Sequence, residues 1–182
     1  MDKDPDETLA ERCRRGERSA LEAIVRRYQR PLYNAAFRVL GNADDASETT
    51  QTVFLRVWER IHEYDPQYRF FSWIYRIAVN ESLSMLRRKG HEEPLDDEVD
   101  VAGPDGDDPE RRAGDAELSA RIRSVVMSMA TNDRTVLMLR HFSDLSYQEI
   151  GQVLDLDEKT VKSRLFEARH RLRGLLGDLR GL

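Results

Sequence analysis

The stretch Ser146–Arg173, SYQEIGQVLDLDEKTVKSRLFEARHRLR, decides the fold. Ser146 and Glu149 stand at the S-x-x-E spacing of a capping box, which starts a helix by satisfying two of its unpaired amides reciprocally. Ile150, Val153 and Leu154 then give a short helix one apolar face. Leu156 is apolar within the following turn, where two helices must be pinned together. Asp157 is a good N-cap for a second helix, in which Val161, Leu165, Ala168 and Leu172 fall on one stripe. This is the pattern of a helix-turn-helix. The remaining faces of the second helix carry Lys159, Thr160, Lys162, Ser163, Arg164, Arg169, Arg171 and Arg173. From Lys159 to Arg180 there are seven basic residues against two acidic ones. A basic, hydroxyl-bearing helix with an apolar back suits the major groove of DNA.

Working outward, the composition excludes several classes. The chain has 182 residues, 40% of them apolar, enough for one domain or two small ones. No apolar run is as long as a membrane span, and the acidic N-terminus (MDKDPDET) is unlike a signal peptide, so a cytoplasmic protein without membrane insertion is expected. Cys13 is the only cysteine, and His62, His91, His141 and His170 are scattered. Neither a disulfide, a metal set, a nucleophile motif nor a phosphate-binding Gly loop is legible, and the expectation is a non-enzymatic protein without cofactor. The formal net charge of −5 conceals segregation, because His91–Glu110 holds ten carboxylates and no Lys or Arg.

Upstream, residues 6–16 read as a short helix with Leu9, Ala10 and Cys13 on one side and Gly16 as its stop. Ser19–Leu40 has helical periodicity, with Pro31 expected to kink or split it. Gly41 ends that helix and Asn42 caps the next, whose first turns carry Asp44, Asp45 and Glu48. The next helix runs to about His62, with Val53, Phe54, Val57, Trp58 and Ile61 inward. Glu48, Gln51, Thr52, Leu55 and Glu59 face outward, and Leu55 is an apolar residue where a protein partner could dock.

Residues 63–71 (EYDPQYRFF) break at Asp65-Pro66 and crowd aromatics around Arg69. Phe70 and Phe71 read as core. Tyr64, Gln67, Tyr68 and Arg69 are open between core and a surface on which single-stranded bases stack. Ser72 begins another helix, with Arg76, Asn80, Ser84 and Arg87 on one polar stripe ending in Arg87-Arg88-Lys89, a rail for phosphates. Residues 90–114, with four Gly, three Pro and the acidic block, read as a flexible linker that spans at most roughly 80–90 Å. Order resumes near Asp115, with Leu118, Ile122, Val125, Val126 and Met129 on one helix. Another contains Val136, Leu137, Leu139 and Arg140, capped by Thr131 or Asn132. No strand pattern appears, so the expected class is all-α: two small helical domains on either side of an acidic tether.

Two blocks in this order, DDASETTQTVFLRVWERI with FFSWIYRIAVNESLSMLRRK, then RTVLMLRHFSDLSYQEIGQVLDLDEKTVKSRLFEARHRLR, carry a resemblance over nearly the whole chain. The sequence resembles the extracytoplasmic-function group of bacterial sigma factors. The resemblance implies a sigma-2-like domain over 1–90, a linker over 91–114 and a sigma-4-like domain over 115–182. It implies a dissociable initiation subunit of core RNA polymerase that contacts the beta-prime and beta subunits and promoter DNA. Glu48, Gln51, Leu55 and Glu59 would dock on polymerase. Tyr64, Gln67, Tyr68, Arg69, Arg76, Asn80, Ser84, Arg87 and Arg88 would hold the −10 element as it opens. Lys159, Thr160, Lys162, Ser163, Arg164, Phe166 and Arg169 would face the −35 element. The linker would either mimic nucleic acid inside polymerase or serve as a solvated tether.

Members of the group are commonly held inactive by an anti-sigma factor, and such a partner is expected. The chain departs from the group's pattern at Thr52, where Glu is often found, and at Lys159, where a small residue is common. It also departs at Glu167, where a basic residue is frequent. Two other readings compete: a polymerase-independent helix-turn-helix regulator, and a sigma mimic that occupies polymerase without supporting initiation.

Overall fold

The computed structural model describes residues 4–90, 122, 124–143 and 145–178. Among the described residues the chain forms helices, turns and loops and no strand, as the periodicity implies. The N-terminal bundle comprises α1 (Asp6–Arg14), α2 (Arg18–Leu40), α3 (Ala43–Arg60) and α4 (Phe70–Arg88). A short 3-10 turn at Ile61–Glu63 follows α3. The C-terminal bundle comprises α5 (Thr131–His141), α6 (Tyr147–Leu154) and α7 (Glu158–Asp178), preceded by helical residues 124–128. The acidic linker and the expected start of the helix near Asp115 lie outside the described residues.

Small residues let the N-terminal helices approach closely. Ala20, Ala23, Ala35, Ala36, Ala46 and Ala78 are all buried beside Ile24, Leu32, Val53, Val57 and Ile74. Leu9, Ala10 and Cys13 bring α1 into the same core. Phe70 is its aromatic hub, meeting Tyr28 edge-on at 5.7 Å and Tyr64 edge-on at 5.2 Å between ring centroids. Such pairs contribute about 0.5–1.5 kcal/mol each beyond the area they bury. Phe70 is core, as expected, and Phe71 is half-buried and stacked on Tyr75.

Local stop and start signals act where the sequence puts them. Gly41 takes a left-handed φ of 75° after α2, a conformation that costs glycine little. The Asn42 side chain accepts the Asp45 amide at 3.0 Å and opens α3. In α6 both halves of the capping box are present, with Ser146 Oγ accepting from the Glu149 amide and Glu149 Oε2 accepting from the Ser146 amide. Asp157 caps α7 through the Thr160 amide at 2.8 Å.

Three expectations need correction. The chain does not split at Pro31: α2 continues through it, because Tyr28 and Leu32, one turn before and next to it, are both buried and packing holds the helix together across the missing hydrogen bond. Neither Thr131 nor Asn132 caps α5. The cap position is Ala130 without a side-chain bond, and the Thr131 carbonyl accepts instead from Thr135 Oγ1 at 2.7 Å. Lys89 does not extend a phosphate rail: its ammonium donates to both carboxylate oxygens of the buried Asp45, at 2.6 and 2.8 Å, tying the end of α4 to the start of α3.

The helix-turn-helix angle depends on Gly151. A Cβ there would lie 2.5 Å from the Leu156 carbonyl oxygen, which belongs to the turn and cannot swing aside. The Gly151 carbonyl meanwhile accepts the Leu156 amide at 2.9 Å. Gly151→Ala should therefore destabilise the C-terminal bundle by about 1–3 kcal/mol despite alanine's better helix propensity. Thermal unfolding followed by circular dichroism checks this, and an unchanged or raised midpoint would refute the close approach.

Candidate nucleic-acid interface

Three surfaces stand out once each helix has buried its apolar stripe. The first lies on α3. Glu48, Gln51, Leu55 and Glu59 are all exposed, and Leu55 is 66% exposed. Glu59 is bound by Arg56 at 2.9 Å, and Arg56 also reaches Glu81 of α4 at 3.4 Å. Trp58, inward by its periodicity, is instead exposed at the edge of the stripe. Leu55 and Trp58, three residues apart, thus share a helix flank on which the periodicity places Leu55 alone.

The second surface is the loop 64–69 with α4. Tyr64 departs from the expectation of a base contact, since it is 3% exposed. Its ring packs on Phe70 and Trp73, and its hydroxyl donates to the Tyr68 carbonyl at 2.9 Å. Arg14 of α1 donates to the Tyr64 carbonyl at 2.7 Å. Burial pushes the Tyr64 phenol up, with Glu7 adding to the shift. Tyr64 is the pin on which the loop turns. Beyond it Gln67 is exposed, and Tyr68 is 50% exposed. Arg76, Asn80, Arg87 and Arg88 are exposed along α4, and the half-buried Ser84 accepts from Arg87 at 2.9 Å. Trp73 and the buried Ser72, not anticipated as site residues, lie beside Tyr68 and Arg76 on a cleft that faces α6.

The third surface is the outer side of α7. Lys159, Lys162, Ser163, Phe166 and Arg169 are exposed, and Arg164 is half-buried. Phe166 is 72% exposed, an apolar group of the kind that meets a thymine methyl. Thr160 departs in part: its hydroxyl donates to Asp157 at 2.6 Å and serves the helix cap. Lys162 is paired with Glu158 at 2.6 Å, one turn back on the same face. Glu167 is partly neutralised by Arg171 at 3.4 Å, and Arg171 also pairs with the buried Asp133 of α5. This reduces the negative charge that Glu167 presents on the outer side of α7. His141, beside Arg169 at 3.3 Å, is pushed down by burial and by the neighbouring Arg169 and Arg140 charges.

Among the described residues no cluster of His, Cys, Asp or Glu could hold a metal ion, and no helix is long and apolar enough to cross a membrane. The geometry defines an all-helical, helix-turn-helix protein with a basic outer face on α7, an aromatic loop before α4 and an exposed apolar flank on α3. Its sequence agrees with that class in detail. Residues 24–92 match the Sigma-70 region 2 family and residues 119–172 match Sigma-70 region 4.

The chain is 33% identical over 177 residues to the ECF RNA polymerase sigma factor SigW of Bacillus subtilis (strain 168), covering 91% of this chain and 94% of that one. Its fold is similar to that of CnrH, solved in complex with the cytosolic domain of CnrY. There the TM-score is 0.72 at 27% identity, over 96% of this chain and 99% of CnrH. The sigma factor RpoE of Bartonella quintana, solved with the anti-sigma factor NepR, shares the fold at a TM-score of 0.70 and 19% identity, over 86% and 96% of the two chains. The chain belongs to the ECF sigma factors of the sigma-70 family.

The assignment of Tyr64 is testable. Tyr64→Phe removes one hydrogen bond within the loop and should lower stability by about 0.5–1.5 kcal/mol while leaving the ring in the core. Urea unfolding monitored by tryptophan fluorescence measures it, and a variant as stable as the parent would argue against the pin.

Proposed function

We propose that this protein is a dissociable specificity subunit of bacterial RNA polymerase. It binds the core enzyme, reads the −35 element as duplex and the −10 element as it melts, and leaves phosphodiester chemistry to the polymerase. The observation that carries the reading is the presence of region 2 and region 4 matches in one chain, in that order. In this reading residues 1–90 dock on polymerase and hold the −10 element, residues 91–114 tether the halves, and residues 115–182 read the −35 element. The protein works in the cytoplasm without a cofactor.

Roles follow from the chemistry of each surface. Glu48, Gln51, Leu55 and Glu59, with Trp58 added, offer an apolar centre with an acidic rim, the anatomy of a protein interface. Tyr68, Arg69, Arg76 and Asn80 offer a ring and donors for an unpaired base. Extruding a base costs a few kcal/mol, and stacking returns about 1–3 kcal/mol per base, so a small set of contacts is enough to favour the open strand once polymerase is engaged. Arg87 and Arg88 hold phosphates. Lys159, Lys162, Ser163, Arg164, Phe166 and Arg169 meet the major groove, with Thr160 acting through the helix cap. A protein inhibitor is also expected, because CnrH and the Bartonella RpoE were each solved with a protein partner.

Run-off transcription with bacterial core polymerase on a promoter library tests the whole reading. Start-site-specific transcripts that require this protein are expected. Polymerase binding without transcripts would mean a mimic, and duplex binding without polymerase would mean an autonomous regulator.

Two sets of variants resolve the surfaces. Gln51→Ala combined with Leu55→Ala should weaken core binding by about tenfold with the helical content unchanged, since one interface anchor is worth on the order of 1–2 kcal/mol. Surface plasmon resonance against core polymerase gives the number, and an unchanged affinity would move the docking surface off α3. Arg164→Ala should lose about 1–3 kcal/mol on promoters that need the −35 element. A uniform loss on all DNA sequences would make Arg164 a phosphate contact.

A further inference from the structure

The outer strip of α7 holds a carboxylate where a helix that meets DNA can least tolerate one. Turning about 100° per residue, the helix places Lys159, Ser163, Phe166, Glu167 and His170 opposite the buried Val161, Leu165 and Ala168. All five are exposed. By the same geometry Lys162 and Arg169 flank the strip on one side, and Arg164 and Arg171 on the other. Lys162 is tied to Glu158 at 2.6 Å and lies 5.7 Å from the Tyr147 ring of α6, which keeps its charge at the edge. Cations on the flanks of such a helix suit the phosphates, and the middle of the helix meets base edges.

Glu167 belongs to that middle, and its side chain is 56% exposed. Oε2 accepts a long hydrogen bond from Arg171 Nη2, at 3.4 Å, while Arg171 gives its Nη1 to the buried Asp133. Among the described residues Oε1 accepts no hydrogen bond. Arg171 thus steadies the carboxylate from the flank and leaves one oxygen for an outside donor.

A carboxylate anion accepts hydrogen bonds and cannot donate them. In the major groove guanine presents N7 and O6, both acceptors, and thymine presents O4 and a methyl group. Neither can satisfy Glu167. Adenine offers its N6 amine beside the acceptor N7, which repels the second carboxylate oxygen. Cytosine offers its N4 amine without an acceptor of its own alongside.

We propose that Glu167 selects cytosine in the duplex that α7 reads and rejects guanine and thymine at that position. The inference rests on the sigma-factor reading above and adds a base preference inside the −35 element. The selection works mainly by exclusion. A wrong base leaves the carboxylate stripped of water against another acceptor, so the mismatch costs more than the match gains. The same negative charge weakens the grip on duplex of any sequence, so Glu167 favours discrimination over strength.

The test is run-off transcription by the full chain with core polymerase on a promoter library randomised across both elements, followed by sequencing of the templates used. With wild-type protein, cytosine should be favoured over guanine by about five- to thirtyfold at one position of the −35 element. Glu167→Gln should move that preference to adenine, and Glu167→Arg to guanine, with the other positions unchanged. Glu167 is exposed and its pairing with Arg171 contributes little, so both variants should fold, as circular dichroism will confirm. The glutamine variant keeps the side chain's length and carries the test alone if the arginine variant unfolds.

A base profile identical for wild type and Glu167→Gln would overturn the proposal and leave Glu167 as a support for Arg171. A gain shared equally by all templates would also overturn it, because the carboxylate would then act by repulsion alone. Failure of the sigma reading looks different: no template would be transcribed by wild-type protein and core polymerase, and the base preference would fall with it.

Discussion

Helices as short as α1 and α6 do not persist alone in water, so each must lay its apolar stripe against a neighbour. That constraint distributes everything else. Val53 and Val57 commit one side of α3 to the core and leave Gln51 and Leu55 on the other. Ile74, Ile77 and Ala78 do the same for α4, leaving Arg76 and Asn80 outside. Val161, Leu165 and Ala168 fix α7 and turn Lys162, Ser163 and Phe166 to solvent. The candidate surfaces sit on whatever burial did not claim. Each surface is therefore held in shape by the packing of its own bundle, without any dedicated scaffold.

What was legible in the sequence was local. The capping box at Ser146 and Glu149, the caps at Asn42 and Asp157 and the stop at Gly41 each involve atoms within a few residues, and all are present. The exposed residues of α7 and the outer face of α3 follow from a period of 3.6, and the structure agrees with that period apart from Trp58. Trp58 lies at the boundary of its stripe, where one position's rotation decides between core and solvent. Tyr64 escaped for a different reason. Its partners Phe70, Trp73 and Arg14 come from elements whose arrangement no spacing rule provides. Lys89 with Asp45, and Arg134 with Val39, are likewise pairings across long stretches of chain. Pro31 shows the converse: a local break signal that does not end the helix, with buried residues on either side of it.

Charge shows the same division between local pattern and long-range pairing. The basic residues of α7 are not uniformly placed, since Lys162 is paired with Glu158 and Arg171 with Asp133. Lys159, Ser163 and Phe166 are exposed on the same helix. A count of basic residues thus says less than their pairing, because some of these cations also hold neighbouring carboxylates. Glu149 carries the same lesson in the other direction, because its carboxylate serves both a helix start and a neighbouring bundle.

The bond from Arg14 to the Tyr64 carbonyl has a consequence for where the N-terminal functional unit begins. The family match starts at residue 24, yet α1 lies before it and supplies Leu9, Ala10 and Cys13 to the core as well as this bond. α1 acts as a splint on a loop fifty residues away. The smallest piece that could hold the aromatic loop in its observed shape is therefore larger than the family's own boundary, and it begins with the chain's first helix.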